Sequence, residues 1–318
     1  MEEKLARSAE IAIRDCMGVK PGENVLIVTD GPKREIGRAL WQQAIEAGAD
    51  AVYMEMTPRK THGTEPPAMV AEAMKKADVV LGPTSKSFSH TAARKAANKA
   101  GARIATLPDI TEDMMKRTLC ADYKKIGAVS ERFAQILNDG KQVHLTTQAG
   151  TELTMSIAGR EAHPDTGLNH TPGSFSNLPA GEAYIAPLED TAEGLLVVDG
   201  AMAGIGVLSA PIKMTVEKGY VTRVEGGPEA SQLEGMLAEY GKPARNIAEL
   251  GIGTNDMAII TGKILEDEKV LGTVHVALGN SVSFGGKVDV PIHLDGILNA
   301  PTLTVDGRVI IKDGKHLI

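Results

Sequence analysis

The sequence predicts an α/β protein: an N-terminal open, mostly parallel sheet with flanking helices, followed by a mainly antiparallel β (α+β) domain that carries a metal site. Three observations carry this expectation. Residues 24–119 alternate short apolar runs with helical spacings, and crossovers of that length return the chain in the same direction. Beyond Gly140 the apolar runs are joined by tight turns, which is hairpin chemistry. His, Asp and Glu side chains also stand inside the strand-like segments of that second half, where a charge without a partner is costly.

In order along the chain, Asn24–Asp30 is an apolar run ending in Asp-Gly-Pro, a strand followed by a turn. Lys33–Ala47 places Ile36, Ala39, Leu40 and Ala44 at helical spacing and closes at Gly48. Ala49–Met56 is the second strand, Pro67–Lys76 a helix and Ala77–Leu81 the third strand. His90–Ala100 is an Ala-rich helix with Gly101 as its stop, and Ala102–Leu107 is the fourth strand. After Gly140, strands are expected at Val143–Thr147 and Glu152–Ile157 around the Ala149-Gly150 turn, and at Ile212–Val216 and Tyr220–Val224. Glu229–Tyr240 is a helix, and an Asp306-Gly307 hairpin ends the chain. With the boundary in 120–142, the expected domains are 1–140 and 141–318.

Composition removes several function classes. The chain has 318 residues and a formal net charge of −7, with 3% aromatic residues. It lacks both the basic footprint and the stacking rings of a nucleic-acid binder. Two cysteines, Cys16 and Cys120, make neither a disulfide framework nor a four-thiolate metal site. The longest Lys- and Arg-free apolar stretch, Gly194–Ile212, is broken by Asp199, four glycines and Pro211, which is wrong for a membrane span. With no secretory signal visible at Met1-Glu2-Glu3-Lys4, a cytoplasmic protein is expected.

Familiar motifs are missing as well. The first strand ends in Asp30-Gly31-Pro32 rather than in a dinucleotide fingerprint, and no phosphate loop, His-Glu-x-x-His helix or Gly-x-Ser-x-Gly elbow occurs. Gly251-Ile-Gly253 is expected to be a turn.

What remains is a set of metal-competent side chains. His293 and Asp295 alternate in Val290–Gly296, so in a strand they share one face at about 7 Å. His275 lies in the apolar run Thr273–Leu278, Glu182 in Ala180–Pro187 and Glu249 in Ile247–Gly253. Each has a plain structural reading. His275 suits a hydrogen-bonded core, the His293/Asp295 pair suits the polar face of an edge strand, Glu182 suits a turn after Gly181, and Glu249 suits a pair with Arg245. Together, two His, one Asp and two Glu have the composition of an N/O metal site.

Gly181-Glu-Ala-Tyr-Ile-Ala-Pro187, Ala248-Glu-Leu-Gly-Ile-Gly253, His275-Val-Ala-Leu-Gly279 and His293-Leu-Asp295, in this order, resemble the aminopeptidase T/aminopeptidase S family of metallopeptidases. Pro21–Ile27, Ser89–Arg94 and Gly101–Ala105 extend the resemblance over nearly the whole chain. It implies Glu182, Glu249, His275, His293 and Asp295 as metal ligands for Zn, Co or Mn. The implied activity is aminopeptidase hydrolysis of a small peptide by metal-activated water, in a homodimer, with either Glu182 or Glu249 as the shared carboxylate. Glu182 and His90 are the expected catalytic groups, His90 as an acid/base at a predicted helix start, where its plain reading is an exposed N-terminal helix residue. Two departures stand out. The chain is shorter than usual for that family, and Val282 occupies the place of a family Tyr ligand. The related 2,5-dihydroxypyridine ring-cleaving dioxygenases supply the alternative, one Fe(II) held by His275, His293 and Asp295. A third expectation is a binding protein that has kept the fold and lost the metal.

Overall fold

The computed structural model describes residues 2–318. The chain divides into two compact units, residues 1–127 with 166–180 and residues 128–165 with 181–318. The expected division at 140/141 places two segments differently. Residues 128–140 belong to the second unit, and 166–180 return to the first.

The first unit is built on a five-stranded parallel sheet. Its spatial order is Asp50–Met56, Asn24–Asp30, Val79–Thr84, Arg103–Pro108 and Phe175–Asn177. Val79–Thr84 is buried at every position, as expected of a central strand covered on both faces. The helices Arg34–Glu46, Ala68–Met74 and Ala92–Lys99 connect the first four strands. Thr91 caps the last of these, its hydroxyl accepting from Arg94 N at 3.2 Å.

The second unit holds two antiparallel sheets. One has eight strands in the order Tyr220–Glu225, Ile212–Glu217, Glu193–Val198, Glu152–Ser156, Gln142–Thr146, Thr302–Val305, Arg308–Lys312 and Lys315–His316. The other has seven, in the order Gly206–Val207, Ala201–Met202, His293–Leu298, Val274–Gly279, Ile247–Gly253, Glu182–Ile185 and Ala162–Asp165. A single apolar core joins both sheets, with Leu233 and Leu237 of the helix Pro228–Tyr240 packed into it. The parallel sheet followed by antiparallel sheets is the predicted fold class. Among the described residues, no helix is long and apolar enough to cross a membrane.

Gly251 and Gly253 lie in a strand and not in a turn. They are glycines for space: a Cβ on Gly251 would stand 1.9 Å from His275 Nε2, and one on Gly253 would stand 2.1 Å from Val270 O.

Candidate metal centre

Alternate residues of a strand face opposite sides of a sheet, and the seven-stranded sheet uses this to separate its core from its chemistry. Ala183, Ile185, Leu250, Ile252, Val274, Val276, Leu278 and Leu294 enter the apolar core. The residues between them form the other face. Across it, Asp165 pairs with Glu182 and Glu182 with Gly253. Glu249 pairs with Ala277 and Ala277 with Asp295. His275 lies opposite Gly251, and His293 opposite Gly279. Small residues in the middle of this face leave room for the long ones to converge.

Converge they do. His275 Nε2 lies 3.2 Å from Glu182 Oε2 and 3.3 Å from Glu249 Oε1. His293 Nε2 lies 3.4 Å from Glu249 Oε2 and 3.3 Å from Asp295 Oδ1. The five residues form two overlapping groups with metal-compatible spacing, Glu182/Glu249/His275 and Glu249/His293/Asp295. Glu249 is common to both, and the triad His275/His293/Asp295 straddles them. His275 is the buried, hydrogen-bonded core histidine of its plain reading, while the other three plain readings fall away. Arg245 pairs with Glu234 rather than Glu249, Glu182 is in a strand, and the strand of His293 and Asp295 is flanked on both sides. His90 is exposed in the first unit, next to the cap Thr91, whereas the cluster is built wholly from the second.

Charge explains why the cluster calls for a cation. Asp165, Glu182 and Glu268 surround the Lys269 ammonium, whose side chain is 1% exposed, while Glu249 and Asp295 contact the imidazoles of His275 and His293. Lys269 Nζ donates to Glu182 Oε1 at 2.5 Å, with Glu268 Oε1 at 2.7 Å and Asp165 Oδ2 at 3.4 Å. Burial disfavours its charge, but these carboxylates outweigh burial and raise its pKa well above the ordinary value. Burial likewise opposes the charged imidazoles. Glu182 and Glu249 beside His275, and Asp295 and Glu249 beside His293, nevertheless hold both pKa values well above the usual range. Burial pushes the Glu268 carboxyl up to about 8, with Glu182 and Asp295 adding to it against the pull of Lys269. Such a site takes up protons unless a cation replaces them.

One buried atom marks where that cation fits. Glu182 Oε2 has no hydrogen bond among the described residues, only the His275 ring 3.2 Å away, and an unsatisfied oxygen is expensive in a protein interior. The Nδ1 of His293 lies 2.8 Å from the backbone carbonyl of Asn280. That carbonyl can only accept, so Nδ1 carries a proton, and Nε2, on the carboxylate side, is the nitrogen that would hold a cation once its own proton is displaced, the usual support of a metal-binding imidazole. The donor set therefore suits a divalent ion.

Sequence reasoning missed Lys269, Asp165 and Glu268. The Lys sits in the run Glu266-Asp-Glu-Lys269, which has the composition of a solvated face. Glu266 and Asp267 are nonetheless fully buried, accepting from the Ile259, Thr261 and Gly262 amides. Nothing in the local pattern separates this run from an exposed one.

The NicX family model, 2,5-dihydroxypyridine 5,6-dioxygenase, matches residues 5–317. A curated 2,5-dihydroxypyridine 5,6-dioxygenase of Pseudomonas putida is 25% identical over 260 residues, which are 76% of this chain and 71% of that protein. The solved structure of a 2,5-dihydroxypyridine dioxygenase from Pseudomonas putida matches with a TM-score of 0.84 at 20% identity, covering 98% of this chain and 96% of that one. Wild-type AmpT from Thermus thermophilus matches with a TM-score of 0.73 at 18% identity, covering 99% of each chain. These two structural likenesses speak for the fold. The family match and the curated relative overturn the expectation of an aminopeptidase: the protease, metalloprotease and hydrolase assignment gives way to a dioxygenase. The AmpT likeness shows why the motifs pointed there, since the two groups share an architecture.

Proposed function

The chain belongs to the 2,5-dihydroxypyridine 5,6-dioxygenase family, and from that premise we propose that it is a ring-cleaving dioxygenase for a dihydroxypyridine-type ring, with one Fe(II) as cofactor. His275, His293 and Asp295 are the ligands in this reading, the two-imidazole, one-carboxylate set of non-haem iron oxygenases. The observation that carries it is the inward-facing donor set: His275 and His293 turn their Nε2 atoms to Glu182, Glu249 and Asp295, while the Asn280 carbonyl fixes the His293 ring through Nδ1. When bound, the ion supplies the one-electron and dioxygen chemistry that side chains lack.

The chain's own groups bind and orient. Glu249, in contact with both imidazoles, fixes the angle between the two halves of the site. Burial works against ionisation of Glu182, but Lys269 and His275 outweigh it and keep that carboxyl below the usual range. Its Oε2 is then a charged acceptor for a hydrogen bond from a substrate hydroxyl. The buried floor of the face, with His275 wholly inaccessible, keeps bulk water off the reacting ring.

The test is oxygen uptake with 2,5-dihydroxypyridine by protein loaded anaerobically with Fe(II). The expected result is substrate-dependent uptake with near one iron per chain. His293→Ala and Asp295→Ala should lose both iron and turnover. Full iron content without uptake for any dihydroxypyridine would sink the proposal.

A further inference from the structure

His293 is the most open member of the cluster. Its side chain is 31% exposed, while those of Glu182, Glu249 and Asp295 are 8% exposed and His275 is sealed. The side of the cluster that meets solvent most is therefore the one beside His293. A row of rings stands there. His163 and Tyr184 have centroids 5.5 Å apart, Tyr184 and Phe284 5.7 Å, and Phe284 and His293 5.8 Å, the last two contacts edge-to-face at 86° and 85°. In a chain with only four Phe and five Tyr, two of them meet at this opening. Both are partly buried rather than sealed, so an edge of each ring stays open to solvent.

The loop that presents Phe284 is fastened. Phe284 ends a short turn, Val282–Phe284, next to Gly285. Arg160 donates to the Gly285 carbonyl and pairs with Glu189. Glu189 Oε1 accepts from Lys287 N at 2.7 Å. At the loop root the Asn280 side chain donates to Asp289 at 3.0 Å while its backbone carbonyl accepts from His293 Nδ1. Val282 points out at 48% exposure, leaving Phe284 as the ring this loop offers.

We infer that Phe284, backed by Tyr184, is the platform on which a planar hydroxylated heteroaromatic substrate stacks beside His293, and so is a specificity-determining residue for rings over non-aromatic chelators. This rests on the proposed ring-cleaving reading and adds to it the residue that selects the ring. Offset or edge-on contact between such rings converts to about a threefold to tenfold difference in affinity.

The test uses Fe(II)-loaded protein under anaerobic conditions, with 2,5-dihydroxypyridine and oxalate as separate titrants and iron measured in each sample. Oxalate chelates metal but offers no ring. Phe284→Ala is expected to weaken 2,5-dihydroxypyridine binding about threefold to tenfold, with oxalate affinity and iron content unchanged. Phe284→Tyr, which keeps the ring, should restore the affinity. Equal affinity of Phe284→Ala and the unaltered chain for 2,5-dihydroxypyridine overturns the inference. So does a parallel loss for oxalate, which would show a disturbed metal site instead. If the unaltered, iron-loaded chain binds oxalate but not 2,5-dihydroxypyridine, the substrate reading itself fails and the platform goes with it.

Discussion

Removing the Lys269 ammonium would take away the buried ion-pair partner that Asp165, Glu182 and Glu268 share. Breaking a buried ion pair from one side costs about 3–5 kcal/mol. Lys269→Met should lose stability on that order in urea unfolding, with part of it recovered by millimolar Mn²⁺ or Mg²⁺. An unchanged midpoint would mean that the ammonium is not the group offsetting those carboxylates. Gly251 makes a second prediction. A methyl group there overlaps His275 Nε2, so Gly251→Ala should reduce bound iron severely, as measured by elemental analysis, while far-ultraviolet circular dichroism stays unchanged. Protons compete for the same nitrogens. Because both imidazole pKa values are raised in the metal-free fold, apparent metal affinity should climb as pH rises above about 6.5. A pH-independent affinity between 6 and 9 would contradict this. At this scale the sequence was informative about ligands and silent about their support. His275 and the His293/Asp295 pair stand out because titratable groups inside strands are unusual, but Lys269 is hidden in a charge run, and its role exists only once Val270 crosses over Gly253.

The two-sided sheet makes a prediction about elements. Leu250 faces the core while its neighbours Glu249 and Gly251 face the site. Leu250→Ala should therefore cost about 2–5 kcal/mol of stability while the folded protein still binds metal, the reverse of the pattern expected for Gly251→Ala. The C-terminal strand Lys315–His316 makes another. Burial pushes His316 down to about 4, its ring standing edge-on to Phe133 at 4.7 Å with Nε2 unpartnered. The unfolded chain protonates this group near 6.5 and the folded one near 4, so its contribution is intact above about 6.5 and is lost as pH falls toward 4. The melting temperature of His316→Gln should fall less steeply over that window than that of the unaltered chain. An identical slope would assign the acid sensitivity elsewhere. Most elements were legible, because period-two and helical spacings are local. The strand Asn24–Asp30 and the helix Pro228–Tyr240 agree with expectation to within a residue. The Gly251/Gly253 strand was not, because isolated glycines signal turns unless the atoms they make room for are known.

For the whole molecule, the fold class followed from strand–helix alternation giving way to hairpins, both chain-local patterns. The activity did not follow in the same way. The fold is like that of both AmpT and a 2,5-dihydroxypyridine dioxygenase, and a shared fold does not tell one chemistry from another. Nor does local pattern announce that residues 166–180 rejoin the first unit. The evidence for that is the three-residue strand Phe175–Asn177 on the edge of the parallel sheet, beside Arg103–Pro108. The consequence is practical. Since the chain leaves the first unit and comes back to it, no single cut yields both units intact: a fragment stopping at 140 lacks its edge strand, and one starting at 141 carries that strand as an orphan. Dissecting this protein into independently expressed halves would need a permuted gene in which 166–180 is rejoined to 1–127.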